Sequence, residues 1–490
     1  MLFNSYIFIF IFLPVTFSVY FYLNYKRLVT ASKAWLVVSS LFFYSWWNVV
    51  YLPLILISIL FNYTISRSMD KSSVNKKQNF SNLFLLQVAI VFNIGLLGYF
   101  KYMDFFIQNT NFIFGSHIEV LNLALPLAIS FFTLQQIAYV VDCYEGLVKE
   151  RNFLNYVIFV TFFPQLIAGP IVHHKEMMCQ FSNIRNKVRS YSNITKGLFI
   201  FSIGLFKKVV IADSFSIWAT FGFDESNTLN LFEAWATSLS YTFQLYFDFS
   251  GYMDMAIGAA LLFNIKLPKN FNSPYKATGM IDFWKRWHIT LTNFITTYIH
   301  TPLIRSLKKP TFHLVMVMTV LTFLISGLWH GASWMYVIFG FLNGVGIVIN
   351  HYWRKTKIRI NIILAWFITF NFVNITFIFF RAEEWDDAVK VITSMFSLDN
   401  IRLPNFLSSD LSFLSSYNVR FGHFLENIQG GVDTIIWLVL GFILVLIFSN
   451  SNQMVKSFKS NYATLFYASF LFIVSFASLN NKSEFIYFQF

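Results

Sequence analysis

The sequence predicts an all-α integral membrane protein: one domain over residues 1–490, with about 11–13 membrane segments by the length a bilayer demands. Three observations carry that prediction. Hydrophobic residues make up 56% of the chain and charged residues 12%, about half the charged share of a soluble domain. Apolar runs near the roughly 20 residues a spanning helix needs recur almost end to end. The basic residues fall in short clusters between those runs, so the formal charge of +13 reads as positive-inside topology and not as a nucleic-acid footprint.

The elements follow in order. Met1-Leu2-Phe3-Asn4-Ser5-Tyr6 leads straight into apolar residues, with no basic n-region and no small-residue cleavage site, and reads as an uncleaved first span. Candidate spans lie at 3–23, 34–48, 50–66, 82–100, 119–140, 153–172, 197–212, 229–247, 313–330, 334–352, 361–380, 433–450 and 464–480. Two stretches suit re-entrant segments instead. Pro164, Gly169 and Pro170 interrupt 153–172, and 253–263 is too short to cross.

Charge sets the expected orientation. Lys26, Arg27 and Lys33 follow the first span, and Arg67, Lys71, Lys76 and Lys77 follow the third, so both clusters belong on the cytoplasmic side. From Asn264 to Pro310 eight basic residues face one acid, Asp282, which places that block on the same side. Arg354, Lys355, Lys357 and Arg359 return there. From Glu383 to Asp433 acids outnumber bases eight to three, as an external loop at about 383–432 would. Lys456 and Lys459 come back inside, the last span exits, and an aromatic tail at 481–490 follows. Both termini are therefore expected outside. Cys143 and Cys179 stand in no disulfide or zinc spacing, so no metal site is expected.

Two histidine-centred segments carry the chemistry. Asp282-Phe283-Trp284-Lys285-Arg286-Trp287-His288-Ile289-Thr290 joins a basic block to a partly apolar helix, and Ser326-Gly327-Leu328-Trp329-His330-Gly331 ends one apolar run. An ionisable residue among spans is costly and is a functional hypothesis by default. Imidazole titrates near neutral pH, so His330 suits removal of a proton from a hydroxyl nucleophile. By the residues alone, a histidine that merely bonds a neighbouring helix is an equal reading. Asp248 and Asp254 interrupt apolar stretches and either orient a histidine, line a tunnel or bond between helices. Gln135, Gln136 and Asp142 share a helix face, most simply as structural groups. Arg381 and Glu383 mark a span end, where anchoring is the default.

Those two segments resemble the signatures of the membrane-bound O-acyltransferase family, in its bacterial branch of alginate and peptidoglycan O-acetyltransferases. The resemblance extends in order through Met1 to Ser5, Leu125-Pro126 with Ser130-Phe131-Phe132, Phe162 to Pro170, Gln244 to Tyr252, Asn270 to Tyr275, Phe379 to Glu383 and Phe485 to Phe490, practically the whole chain. It implies a ring of tilted helices around a thin centre with a tunnel, His330 as catalytic histidine and His288 as the second histidine across that tunnel. It implies an acetyltransferase with acetyl-CoA as donor substrate and no permanently bound cofactor. An extracytoplasmic esterase-like partner, a bacterial inner-membrane location and an envelope glycan acceptor are also implied, peptidoglycan before alginate or another exopolysaccharide. Tyr487, in the aromatic tail, would hold the acyl group between enzyme and partner, although an interfacial anchor explains it equally well. Lys266, Lys269 and Lys276 offer charge to donor phosphates; positive-inside bias alone accounts for them.

The chain departs from the family pattern where Thr296 and Thr297 precede Tyr298, where Ile304 follows Pro302-Leu303, and at Leu342-Asn343-Gly344. These departures bear on acceptor specificity and leave both histidines in place. A polysaccharide or lipid transporter is the competing class, but it would be expected to carry repeat symmetry, and none is visible. A non-catalytic membrane scaffold is the third reading.

Overall fold

The computed structural model describes residues 1–72, 79–148, 150–399, 401–417, 419–479 and 485–486. Lys76 and Lys77 lie outside the described residues. The chain is helical almost throughout. A π-helical run, Phe8–Phe12, leads into α1 (Leu13–Tyr25), followed by α2 (Val29–Ser45), α3 (Leu52–Ser72) and α4 (Asn79–Leu97). A second π-helical turn, Gly98–Tyr102, joins α4 to α5 (Met103–Phe114). Among the described residues, six helical runs are long and apolar enough to cross a membrane by length and composition, and Ser81–Phe114 is one of them.

The expected segment 119–140 becomes helical only at α6 (Ile129–Tyr144), after the irregular stretch around Pro126. The expected segment 153–172 is broken. α7 (Phe153–Thr161) stops at Phe162, whose extended ψ turns the chain into the single turn α8 (Phe163–Leu166) with Pro164 in its first turn. The Phe163 amide donates to the Ser40 hydroxyl at 3.1 Å, so the interrupted backbone is satisfied inside protein. α9 (His174–Ser182) and α10 (Tyr191–Phe206) follow, then a π-helical run Lys207–Ala212 and α11 (Asp213–Thr220).

The hub is α12 (Leu231–Leu262), buried along most of its length. An Asn230–Glu233 capping box starts it: Asn230 accepts from the Glu233 amide at 3.0 Å and Glu233 accepts from the Asn230 amide at 2.8 Å. The short segment 253–263 is not re-entrant; it is the last third of this one helix. The helix runs through Asp248 and Asp254 because both carboxylates find buried lysines, Asp248 with Lys208 at 2.6 Å and Asp254 with Lys207 at 2.7 Å. These pairs remove the penalty that made the aspartates look like interruptions. Both pairs tie α12 to the π-helical run after α10. Glycines let α10 and α12 meet backbone to backbone: a Cβ at Gly204 would lie 2.6 Å from the Gly251 carbonyl oxygen.

Three short helices then cross the basic block, α13 (Met280–Trp284), α14 (Ile289–Ile295) and α15 (Thr301–Arg305). α16 (Phe312–His330), α17 (Trp334–Thr356) and α18 (Ile362–Arg381) are candidate spans. The acidic stretch after them holds α19 (Trp385–Phe396) and two three-residue strands, β1 (Arg402–Pro404) and β2 (Arg420–Gly422), paired in parallel. Arg381 pairs with Asp224 and lies 5.4 Å from the Phe223 ring, a structural role in keeping with its place at a span end. α20 (Val432–Leu446), α21 (Ser451–Lys456) and α22 (Tyr462–Ala477) complete the chain; α20 and α22 are shorter apolar helices.

Candidate active site

His330 is the last residue of α16, and it is buried. The chain must turn sharply there to enter α17. Gly331 allows it, because a Cβ at that position would lie 2.1 Å from the Tyr336 ring. One turn earlier Gly327 meets Gly340 of α17 with 3.0 Å between a would-be Cβ and the Gly340 Cα. The two helices are thus locked at close range around the histidine. Its ring sits among Trp329, Phe380 and Phe339 at centroid distances of 4.9, 5.1 and 6.1 Å.

The final carbonyls of a helix lack intrahelical donors. Here Tyr102 donates to the Leu328 carbonyl at 2.5 Å, and the Lys101 ammonium donates to the Trp329 carbonyl at 2.6 Å and the His330 carbonyl at 2.9 Å. A third Lys101 bond reaches the Ser130 hydroxyl at 3.2 Å. A cation at a helix C-terminus is also favoured by the helix dipole. Neither Lys101 nor Tyr102 is among the candidates that the sequence motifs single out. The signal was available, since Lys101 lies inside an apolar run where an ionisable residue is expensive.

His288 stands at the head of α14 and is fully buried, with φ of 42° and ψ of 53°. A non-glycine residue in the left-handed region is held there by its surroundings. Asn270 supplies them. Its backbone carbonyl accepts from the Ile289 amide at 2.9 Å, while its Oδ1 accepts from the Thr290 amide at 3.1 Å and the Thr290 hydroxyl at 2.9 Å. The amide contact fixes that atom as the oxygen. The His288 Nδ1, 3.2 Å from it, is therefore the protonated nitrogen, and Nε2 carries the lone pair. Thr290 Oγ1 also accepts from the Ile171 amide at 3.1 Å, tying the loop after α8 to the same corner. Asn270 belongs to a segment that the resemblance covers, but its role required the fold.

Trp329 brings the two histidines together. Its ring centroid is 4.9 Å from that of His330 and 6.4 Å from that of His288. Phe249 of α12 packs edge-on against His288 at 4.8 Å. Residues 42 positions apart thus share one buried aromatic compartment, an environment in which a neutral imidazole can handle protons. Residues 147–382, which include both histidines, match the MBOAT, membrane-bound O-acyltransferase family. A peptidoglycan O-acetyltransferase of Helicobacter pylori is 45% identical, covering 100% of this chain and 98% of that protein. The chain belongs to the membrane-bound O-acyltransferase family. A protein of Azotobacter vinelandii named as a probable alginate O-acetylase is 34% identical over 88% of this chain and 85% of its own length. A teichoic acid D-alanyltransferase of Streptococcus thermophilus is 26% identical over 52% of this chain and 68% of its own. This membrane-bound O-acyltransferase is accordingly an enzyme and a multi-pass membrane protein.

The remaining candidates sort by their contacts. Tyr487 lies outside the described residues. The two described residues before it, Phe485 and Ile486, return into the helical core: Phe485 stacks on Tyr252 at 4.3 Å and approaches Phe249 at 6.1 Å, and the Ile486 amide donates to Asp248 at 3.1 Å. Asp142 accepts from Tyr298 at 3.0 Å and pairs with His174 at 3.1 Å, while Gln136 bonds Ser58 at 3.0 Å. Lys276 donates to the Phe448 carbonyl at 3.3 Å.

Proposed function

We propose that this chain takes an acetyl group from a cytoplasmic thioester, acetyl-CoA, and delivers it across the bacterial inner membrane for O-acetylation of an envelope polysaccharide, with peptidoglycan as the acceptor. The observation that carries this reading is the meeting of His288 and His330 on Trp329, in a chain matched end to end by a peptidoglycan O-acetyltransferase. Alginate is the second reading, favoured by the 34% identical relative.

In the proposed reaction His330 is the general base. As a hydroxyl oxygen attacks the thioester carbonyl, its proton passes to the imidazole, a C–O bond forms and the C–S bond breaks. The departing thiolate then takes the proton as thiol. His288 positions the donor. The first hydroxyl is that of Tyr487. The nucleophile of an extracytoplasmic esterase-like partner next attacks its acetyl ester, the bond from the acetyl carbon to the Tyr487 oxygen breaks, and Tyr487 leaves as a phenol with the nucleophile's proton. The partner then passes the acetyl to a glycan hydroxyl, whose proton restores the nucleophile. A phenol suits an intermediate carrier because its pKa near 10 makes it a better leaving group than an alkyl hydroxyl. Support for the tail's part comes from Phe485, which shares Phe249 with His288.

Purified chain given acetyl-labelled CoA is expected to turn it over, and the His330→Ala variant is not. Equal turnover by both would remove the catalytic assignment.

A further inference from the structure

Between α17 and α18, toward the end that carries Arg354 and Arg359, a cleft of about 930 Å3 lies on the flank of the helices. Ile349 of α17 and Ile362 and Ile368 of α18 line it, and they are 58%, 69% and 52% exposed. Both helices are long and apolar enough to cross a bilayer, so side chains exposed along them meet hydrocarbon rather than water. Gly346 shapes the floor, because a Cβ there would stand 2.7 Å from the Phe372 ring.

The rim has a different character. Lys285, Arg354 and Arg359 line it, and the one acid beside them, Asp282, is engaged by Arg286 at 2.8 Å. The result is an apolar trough under a cationic edge. A second flank cleft, of about 550 Å3 beside Ile11, Trp35 and Phe42, is lined by no charged side chain. The cations at this end of the two helices agree with positive-inside topology, and here they stand directly over an apolar cleft.

We propose that this cleft binds an anionic phospholipid, its phosphate held by Lys285, Arg354 and Arg359 and an acyl chain laid between α17 and α18. Arginine forks match phosphate oxygens in pairs, and basic pockets between spanning helices select anionic head groups. A soluble phosphorylated donor offers the same phosphates, but its polar body does not suit isoleucine walls. The site also touches the catalytic corner. Asn350, in the cleft wall, accepts from the Ile281 amide at 3.2 Å and so holds the start of α13, a few residues before His288.

The test is native mass spectrometry of the purified full chain in mixed micelles with equal phosphatidylglycerol and phosphatidylcholine. Wild type is expected to retain phosphatidylglycerol in roughly tenfold excess or more, since each cation near a head group contributes to selectivity. Arg354→Gln with Arg359→Gln is expected to bring the ratio near one, and Arg354→Lys with Arg359→Lys to keep it. Should the double Gln variant not fold, Lys285→Gln on the exposed rim gives the same comparison, with a smaller drop in the ratio expected. An unchanged ratio in the Gln variants overturns the proposal. So does displacement of the retained lipid by coenzyme A, which would make this a donor site.

Discussion

At the scale of single residues, the two histidines are held by different means. His330 is fixed by packing among aromatic rings at the tip of α16, whereas His288 is fixed by Asn270, which sets its tautomer. His330→Ala is expected to lower glycan O-acetylation by roughly 10²–10⁴-fold, the usual worth of a general base, with the protein still present in the membrane at wild-type abundance. Ester content of isolated envelope glycan is the measurement. Asn270→Ala removes the oxygen that Nδ1–H of His288 and both Thr290 donors share. Orphaning a buried group costs about 1–3 kcal/mol, so turnover of acetyl-CoA should fall by up to roughly 100-fold, and full turnover would show that the orientation of His288 is immaterial. The histidines themselves were legible in the sequence, since each sits where a polar group is expensive. Asn270 and Lys101 were not assigned, because their partners are distant in the chain: Lys101 meets His330 from 229 positions away.

At the scale of elements, α16 and α17 pack as one close hairpin. Its closeness depends on Gly327 and Gly340, and its tip on the Lys101 and Tyr102 caps. Gly340→Leu would force α16 and α17 apart, since even a Cβ there lies 2.3 Å from the Phe323 carbonyl oxygen. Overpacking of this kind costs about 1–3 kcal/mol, and a lower midpoint of thermal unfolding in detergent is the expected result. Lys101→Met keeps the bulk of the side chain and deletes its charge-assisted bonds, each worth about 1.5–3 kcal/mol. Turnover is expected to drop while donor affinity, read as KM, stays near wild type; a change confined to KM would place Lys101 at the donor instead. Lys101 stands out in the sequence as a charge within an apolar run, but which carbonyls it caps emerges only from the fold.

At the scale of the whole molecule, Phe485 and Ile486 meet a helix more than two hundred positions earlier in the chain. Phe485 and Ile486 rest on α12, whose Asp248 carries both a buried ion pair with Lys208 and the bond from the Ile486 amide. Tyr487→Phe preserves the ring and removes the hydroxyl. Loss of acetyl transfer to glycan, with acetyl-CoA binding retained, is expected; wild-type glycan ester levels would make Tyr487 an anchor. The expected external termini have a direct check as well. A cysteine placed at Asn4 should react with a membrane-impermeant maleimide in intact spheroplasts, and labelling only after lysis would reverse the orientation.

Low charge, apolar run length and basic clustering determined that this chain lives in a membrane as helices, because the bilayer imposes those constraints segment by segment. The same local view misjudged 253–263, where a short apolar window hid the end of the 32-residue α12. Only the tertiary structure supplied Lys207 and Lys208 to neutralise Asp254 and Asp248, and so let that helix run on. Only it placed Trp329 against both His288 and His330 and set Lys101 under the tip of α16. Membrane insertion is decided by residues close in sequence, whereas buried charge and catalytic geometry are decided by residues that only packing makes neighbours.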